Sequence, residues 1–152
     1  MFLDRQHRLL SYHDTWLSLD PIRGCPYRCS YCVLRHAGAT GTSPIQSASP
    51  QKCVQELVKH PFFVPTQTQL AIGNETDMLH PRNCDYLLNL LAEIKAVGVN
   101  NSISLITKAP LSKETLDSIR RISGNQIRFF RKVSPFLPTV CIRHWYGRDI
   151  AA

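Results

Sequence analysis

The sequence alternates short apolar runs with longer amphipathic segments, and this alternation restricts the fold more than any other feature. Three strand-and-helix units are predicted, followed by the start of a fourth. The predicted strands are residues 16–19, 69–73, 102–107 and 126–130, and the predicted helices are residues 50–60, 83–97 and 113–123. Alternation of this kind is typical of a parallel sheet with right-handed crossovers, so the sequence predicts an α/β fold.

Capping residues support the helix boundaries. Ser49 offers a hydroxyl N-cap before Pro50, which suits the first helical position. Ser112 is placed to cap the third helix, and Gly98 is a natural end for the second. The predicted apolar face of the first helix consists of Cys53, Val54, Leu57 and Val58, so Cys53 is interpreted as a core residue.

The segments between these units are predicted to be less regular. Residues 1–14 are polar and mixed and are interpreted as a lead-in to the first strand. Residues 33–37 fit a short helix. Residues 40–49 are rich in Gly, Ser, Thr and Pro, which predicts a loop.

Polar residues that can carry chemistry follow the predicted strands. A cysteine-rich stretch comes after the first strand, Asn74 to Asp77 follow the second, and Lys108 ends the third. Parallel α/β folds place their sites at the carboxyl ends of the strands. The sequence therefore predicts that three separate segments meet at one end of one sheet.

The cysteine stretch has the spacing C-x3-C-x2-C. Cys25, Cys29 and Cys32 lie within eight residues, and Tyr31 precedes the last of them. Thiolates this close can converge on one inorganic centre and hold three irons of a 4Fe-4S cluster. Ferredoxin-type runs supply four cysteines, whereas three leave one iron open. An open position on a metal is where a substrate or cofactor binds.

Two other interpretations of the cysteines stay open. Cys25, Cys29, Cys32 and His36 together form a Cys3His set with a spacing that suits structural zinc. The three cysteines can also be reduced thiols that bind no metal.

The pattern C-x3-C-x2-aromatic-C resembles the signature of the radical S-adenosylmethionine enzymes, and the resemblance extends over about residues 16–127. It implies that Cys25, Cys29 and Cys32 bind a 4Fe-4S cluster and that Tyr31 packs beside the cluster and the adenine. The open iron is then chelated by S-adenosylmethionine. The family fold implies a partial (β/α)6-type barrel of parallel strands, with its C-terminal part missing or irregular in this chain.

Gly73, Asn74 and Glu75 occupy the place of the family's Gly-Gly-Glu stretch, which meets the methionine amino group of the cofactor. The segments that follow resemble the spore photoproduct lyase branch. In that branch the hydrogen-donor cysteine stands where this chain has Asn74, so thymine-dimer repair is not expected here.

Two further residues match that branch. A hydroxyl residue at the position of Thr76 and a lysine at that of Lys108 contact S-adenosylmethionine there, and an ammonium group suits the methionine carboxylate. As alternatives, Lys108 is an exposed lysine at a strand end, and Glu75 and Asp77 are turn or cap residues.

The resemblance implies a reaction with an unknown substrate. A reduced cluster passes one electron to S-adenosylmethionine, which releases methionine and a 5′-deoxyadenosyl radical that takes a hydrogen atom from the substrate. The implied electron donor is a flavodoxin or a ferredoxin.

The sequence changes character near its end. Residues 1–127 are predicted to form the partial core. Residues 128–152 are interpreted as a basic irregular tail that is out of frame or truncated, with five basic residues and one acid. As an alternative, the tail is an arm that binds nucleic acid or a partner subunit. An unpaired parallel edge after the fourth strand predicts self-association, unless the tail is poorly ordered.

Composition places the chain among soluble proteins of one domain. It has 152 residues, 43% hydrophobic and 19% charged, and a net charge of +7 that gives a weak indication of an anionic partner such as nucleic acid. No apolar run reaches the roughly 18 residues of a membrane span. Because the N-terminus lacks the features of a signal peptide, a cytoplasmic protein with reduced cysteines is expected.

Overall fold

The structure is a computed structural model that describes residues 8–36, 38–131 and 140–144. The strands are β1 (Leu10–His13), β2 (Trp16–Leu19), β3 (Ile22–Arg23), β4 (Ile45–Gln46), β5 (Gln69–Ile72), β6 (Ile103–Thr107), β7 (Ile127–Arg131) and β8 (Val140–His144). The helices are α1 (Pro50–Lys59), α2 (Cys84–Ala96) and α3 (Lys113–Ile122), and a 3-10 turn covers Val33–Arg35. None of the helices in the described ranges has the length and apolar character needed to cross a bilayer.

Six of the strands form one sheet in the order β1-β2-β5-β6-β7-β8. The four central strands, β2, β5, β6 and β7, are parallel and lie side by side in the order of the chain. Antiparallel strands flank them at both margins. The predicted α/β fold with a mainly parallel sheet is therefore confirmed.

The helices cover one face of this sheet. Each helix joins neighbouring parallel strands, and connections of this kind share one hand, which places all three helices on the same side. Consistent with this, α1 packs against α2, and α2 packs against α3. The core lies between these two layers and includes Leu17, Leu19, Leu57, Leu70, Ile72, Leu87, Leu91, Ile94, Ile103, Leu105 and Phe129.

The predicted helix caps are present. The Ser49 hydroxyl accepts a hydrogen bond from the Lys52 backbone N–H at 3.3 Å, and the Ser112 hydroxyl accepts one from that of Thr115 at 3.2 Å. Gly98 has a φ of +74°, which few residues other than glycine adopt, and it follows α2. Cys53 is a core residue as predicted, but Val58 is 46% exposed, so its assignment to the apolar face was wrong.

The N-terminal segment differs from the prediction. Residues 10–13 are not an irregular lead-in but form β1, which pairs antiparallel with β2. Half of this edge strand is exposed, so it carries no apolar alternation that would mark it in the sequence. The predicted loop at 40–49 also contains β4, which forms a two-residue ladder with β3.

Beyond residue 127 the sheet continues. Strand β7 lies across the predicted domain boundary and runs to Arg131, and β8 pairs with its outer edge within the same chain. The edge for which self-association was predicted is therefore occupied by the chain's own residues. The rest of the predicted tail, residues 132–139 and 145–152, lies outside the described residues.

Candidate functional site at the carboxyl ends of the strands

The cysteine-containing loop comes after β2 in the chain, connects the short strands β3 and β4, and folds back on itself. The Cys25 backbone N–H donates to the Ala39 carbonyl at 2.9 Å, and the Cys25 carbonyl accepts from Thr42 at 3.1 Å. Gly24, at the start of the loop, has a φ of +91°, and a Cβ there would lie 2.7 Å from the Ser43 carbonyl oxygen. The loop is thus a closed structure whose entry requires glycine.

The three predicted cluster cysteines lie at different depths on this loop. Cys25 is buried with 6% exposure, whereas Cys29 and Cys32 are half-buried. The Cys32 N–H donates to the Cys29 carbonyl at 3.2 Å, which makes a tight turn before the 3-10 helix. All three are free thiols. Within the described ranges, no three His, Cys, Asp or Glu side chains stand together as a metal-binding group.

Charged and polar groups of the neighbouring loops reach Cys25. Burial raises the pKa of its thiol above the usual value, and the backbone N–H groups of Tyr27 and Asp77 oppose that rise. The ammonium group of Lys108 lowers the pKa further. Cys25 therefore lies where the loops that follow β2, β5 and β6 come together.

Thr76 connects the loop after β5 to the cysteine loop. Its side chain is buried, and its hydroxyl donates to the Gly24 carbonyl at 2.7 Å. The same oxygen accepts a hydrogen bond from the Asn83 side-chain amide at 3.1 Å. The predicted cofactor-contacting hydroxyl is therefore occupied in bracing the entry of the cysteine loop.

Asp77 connects the ends of β5 and β6. Its buried carboxylate accepts hydrogen bonds from the Thr107 hydroxyl at 2.9 and 3.1 Å and from the Lys108 backbone N–H at 2.7 Å. It also accepts from the Leu79 N–H at 3.0 Å, which is the geometry of a turn residue. Asp77 therefore acts both as a turn residue and as a link between neighbouring strands.

Lys108 is half-buried, so it differs from an exposed lysine at a strand end. Its Nζ lies 5.8 Å from the centroid of the Tyr31 ring, within the range of a cation–π interaction. Burial raises the pKa of the Tyr31 hydroxyl, and the nearby Cys29 raises it further. Tyr31 and Lys108, two predicted site residues from separate segments of the chain, thus lie close together.

Asn74 and Glu75 are held by Asp20, whose role was not recognised from the sequence, whereas the Gly73 N–H donates to the Leu19 carbonyl at 3.0 Å. The Asp20 carboxylate accepts from the Asn74 N–H at 2.6 Å and from the Glu75 N–H at 3.3 Å. The Ser18 hydroxyl donates to its second oxygen and accepts from the Asn74 amide at 2.7 Å. An aspartate directly after a buried strand was the signal available in the sequence.

Gly73 itself cannot be replaced without movement. Its φ is +79°, and a Cβ on it would lie 2.1 Å from Cγ of the buried Met78. The carboxyl end of β5 therefore turns tightly, which brings Asn74 and Glu75 back over the end of β2.

The residue proposed for a zinc site stands apart from this network. His36 is exposed in the turn after the 3-10 helix. Within the described ranges it does not form a metal-binding group with the three cysteines, and the Cys3His interpretation stays a prediction.

The buried carboxyl group of Asp20 leads us to expect a pH dependence of the free energy of unfolding. Burial raises the pKa of its carboxyl above the ordinary value of 3.8, and the nearby charge of Glu75 adds to that rise. The folded protein therefore holds this proton more tightly than the unfolded chain. Stability relative to Asp20→Asn is expected to fall as the pH rises from 3.8 through the raised pKa, and to level off above it.

Urea unfolding of the wild type and Asp20→Asn across this pH range measures the effect. Asp14→Asn, at an exposed position, is the matched control. A free-energy difference between wild type and Asp20→Asn that is independent of pH, or that rises with pH, would contradict the expectation.

Three loops that follow three neighbouring parallel strands thus share one network at one end of the sheet. In addition to the contacts above, the Tyr27 ring of the cysteine loop meets His80 edge to face, with 5.1 Å between centroids. A scan of protein-family models found no match to this sequence, and searches for similar curated proteins and similar solved structures found none either.

Proposed function

We propose that the chain is a radical S-adenosylmethionine protein of the spore photoproduct lyase-like branch, in which Cys25, Cys29 and Cys32 bind a 4Fe-4S cluster. The observation that supports this most is the meeting of the cysteine loop with Thr76 and Lys108. Thr76 donates to Gly24 of that loop, and Lys108 lies over the ring of Tyr31.

The donor set suits an iron–sulfur cluster. Thiolates are the ligands of such clusters, and all three loop cysteines are free. Cys53 is in the core, where its sulfur lies 3.3 Å from the Tyr86 hydroxyl, so it is not a fourth ligand. Three ligands leave one iron open to S-adenosylmethionine. When both are bound, the reduced cluster and the cofactor together supply a radical that abstracts hydrogen.

Each neighbouring residue has a defined task in this proposal. The Lys108 ammonium group pairs with the methionine carboxylate of the cofactor, and Asp77 fixes Lys108 by accepting its backbone N–H. Asn74 and Glu75 meet the methionine amino group, on a loop that the Asp20 carboxylate positions. Thr76 holds the cysteine loop against β5, and Tyr31 covers the side of the site.

The strand order supports the finer claim about the fold. Four parallel strands that neighbour one another in chain order, with helices on one face, match one side of a (β/α)6-type barrel. A doubly wound sheet would reverse its order near the middle and carry helices on both faces. We therefore propose that this sheet is a partial barrel whose inner side is the face without helices.

The test is anaerobic reconstitution of the full chain with iron and sulfide. We expect about four irons per chain, a brown colour, and 5′-deoxyadenosine when dithionite and S-adenosylmethionine are added. A flavodoxin or ferredoxin is expected to replace dithionite. A cluster that never cleaves the cofactor would overturn the proposed activity, and a colourless protein loaded with zinc would support the Cys3His alternative instead.

A further inference from the structure

The face of the sheet that carries no helix has an unusual composition. Residues in register on neighbouring parallel strands point to the same side, so the pairings define rows across this face. The middle row consists of Ser18, Ala71, Ser104 and Arg128. The row toward the amino ends of the strands consists of Trp16, Gln69, Ser102 and Gln126.

Apart from Trp16, the side chains of these two rows are polar or small, and the apolar Ile106 and Phe130 lie in register on the same face nearer the carboxyl ends of the strands. A face that packs on another layer is mainly apolar. Gln69 and Ser104 already bond to each other, with 2.8 Å between Nε2 and Oγ. Their side chains are half-buried, so the face is recessed although it is polar. A recessed polar face of this kind suits a polar ligand better than a second layer of protein.

Three buried polar atoms on this face have no hydrogen-bond partner within the part of the chain that the structure describes. They are the Ser102 hydroxyl oxygen, the Gln126 amide nitrogen and Nε of Arg128. Ser102 and Gln126 are adjacent, because the Gln126 carbonyl accepts from the Ile103 N–H at 2.8 Å. Arg128 is two residues beyond Gln126 and therefore on the same side. Buried donors without partners are rare in folded proteins, and an unseen bound group is one explanation.

The chemistry of these atoms selects the ligand. Gln126 Nε2 and Arg128 Nε are donors, and the Ser102 hydroxyl also has a proton to donate. Arg128 adds a positive charge. The described acid of this face, Asp20, is three strands away in the sheet order and is already hydrogen-bonded. Three unpartnered donors on one face of the sheet, one of them cationic, are suited to an anionic oxygen group.

We propose that Ser102, Gln126 and Arg128 bind the carboxylate or phosphate group of the substrate. This assignment rests on the proposed function only in naming the ligand as the substrate. Lys108 follows Ser104, the neighbour of Arg128, by four residues, which is about 13 Å along a strand. The anion site thus lies about that far from Lys108, and the substrate is a small anionic molecule with its charged group near the middle of the sheet and its reacting carbon toward the cysteine loop.

The anion site is tested in the full chain without iron or cofactor, so its outcome is separate from that of the proposed activity. Inorganic phosphate and glutarate are the probes, and glutaramide is the neutral counterpart of glutarate. In proton–nitrogen spectra, the Nε–H signal of Arg128 is expected to shift saturably with one or both anions and not with glutaramide. Phosphate alone or glutarate alone would identify which anionic group the site prefers.

Variants then assign the binding. Arg128→Met is expected to weaken anion binding at least about tenfold in calorimetry, since charge-assisted hydrogen bonds are lost. Arg128→Lys keeps the charge without the Nε donor and should lose less, and Gln126→Leu should also weaken binding. Arg121→Met is the matched control, because this exposed arginine lies on α3. Circular dichroism identifies any variant that fails to fold. The proton–nitrogen spectra of the wild type test the site even if a variant does not fold.

Four results would overturn the proposal. The first is an Nε–H signal that neither anion moves. The second is an affinity in folded Arg128→Met within twofold of the wild type, and the third is an equal loss in Arg121→Met. The last is a crystal structure grown with phosphate in which the three atoms bind ordered water only. Anion binding in a protein that takes up no iron would leave this site standing and refute the proposed function alone.

Discussion

Asp77→Ala is expected to lower the free energy of unfolding by about 2–4 kcal/mol, because a buried donor left without an acceptor costs about 1–3 kcal/mol and several donors lose theirs here. The carboxylate accepts from the Thr107 hydroxyl and from the N–H groups of Lys108 and Leu79. Its removal leaves these donors buried without an acceptor and opens a cavity between the ends of β5 and β6. Urea unfolding of the reduced full chain measures the loss.

Asp85→Ala is the matched control, because Asp85 is exposed in the first turn of α2. We expect that control to change stability by less than about 1 kcal/mol. Asp77→Asn should fall between the two, since it keeps one acceptor oxygen and turns an amide donor toward other donors. A loss in Asp77→Ala no larger than that in Asp85→Ala would show that the carboxylate does not hold the two strand ends together.

Single replacement of Cys25, Cys29 or Cys32 by alanine is expected to reduce bound iron from about four per chain to nearly none. Two thiolates are too few to hold the cluster, because each of the three loop cysteines is proposed to bind one iron. Iron and sulfide analysis after anaerobic reconstitution, together with visible absorbance, gives the readout. Cys29 and Cys32 are half-buried, and Cys25 is buried but lies on the loop outside the main core cluster, so the variants should still fold.

Cys84→Ala serves as the control for this series. Cys84 is also half-buried and free, but it begins α2 and is not part of the cysteine loop. The Cys84→Ala variant should still bind about four irons per chain. If Cys84→Ala lost as much iron as the three loop variants, the loop cysteines could not be assigned as the cluster ligands. His36→Ala separates the two metals, because it should leave iron unchanged and would abolish binding if the site were a Cys3His zinc site.

The parallel core could be predicted because its residues encode it locally. Strands β2, β5 and β6 are short apolar runs, and the hydroxyls of Ser49 and Ser112 fix where α1 and α3 begin. The flanking strands could not be predicted in the same way. Strand β1 is half exposed, and β8 follows a change in composition, so each depends on a neighbouring strand for its definition.

The position of the site in the fold could be predicted from the sequence, but the hydrogen bonds within it could not. The order of the strands was enough to place Thr76 and Lys108 beside the cysteine loop. It was not enough to show that the Thr76 proton goes to the Gly24 carbonyl or that Asp20 holds the Asn74 backbone. Those bonds depend on how two loops distant in sequence pack together, and a single sequence carries no measure of that packing.

The antiparallel strands at the two margins determine what can pair directly with the parallel core. The outer backbone groups of β7 are paired with Val140–His144, so another parallel strand can join there only by displacing that segment. On the other side, β1 occupies the outer edge of β2 in the same way. Adding a further parallel strand beside β2 or β7 thus requires strand exchange, in which the antiparallel ladder breaks before a new parallel ladder forms. Within the described part of the chain, the four parallel strands are thus enclosed on both sides by antiparallel neighbours.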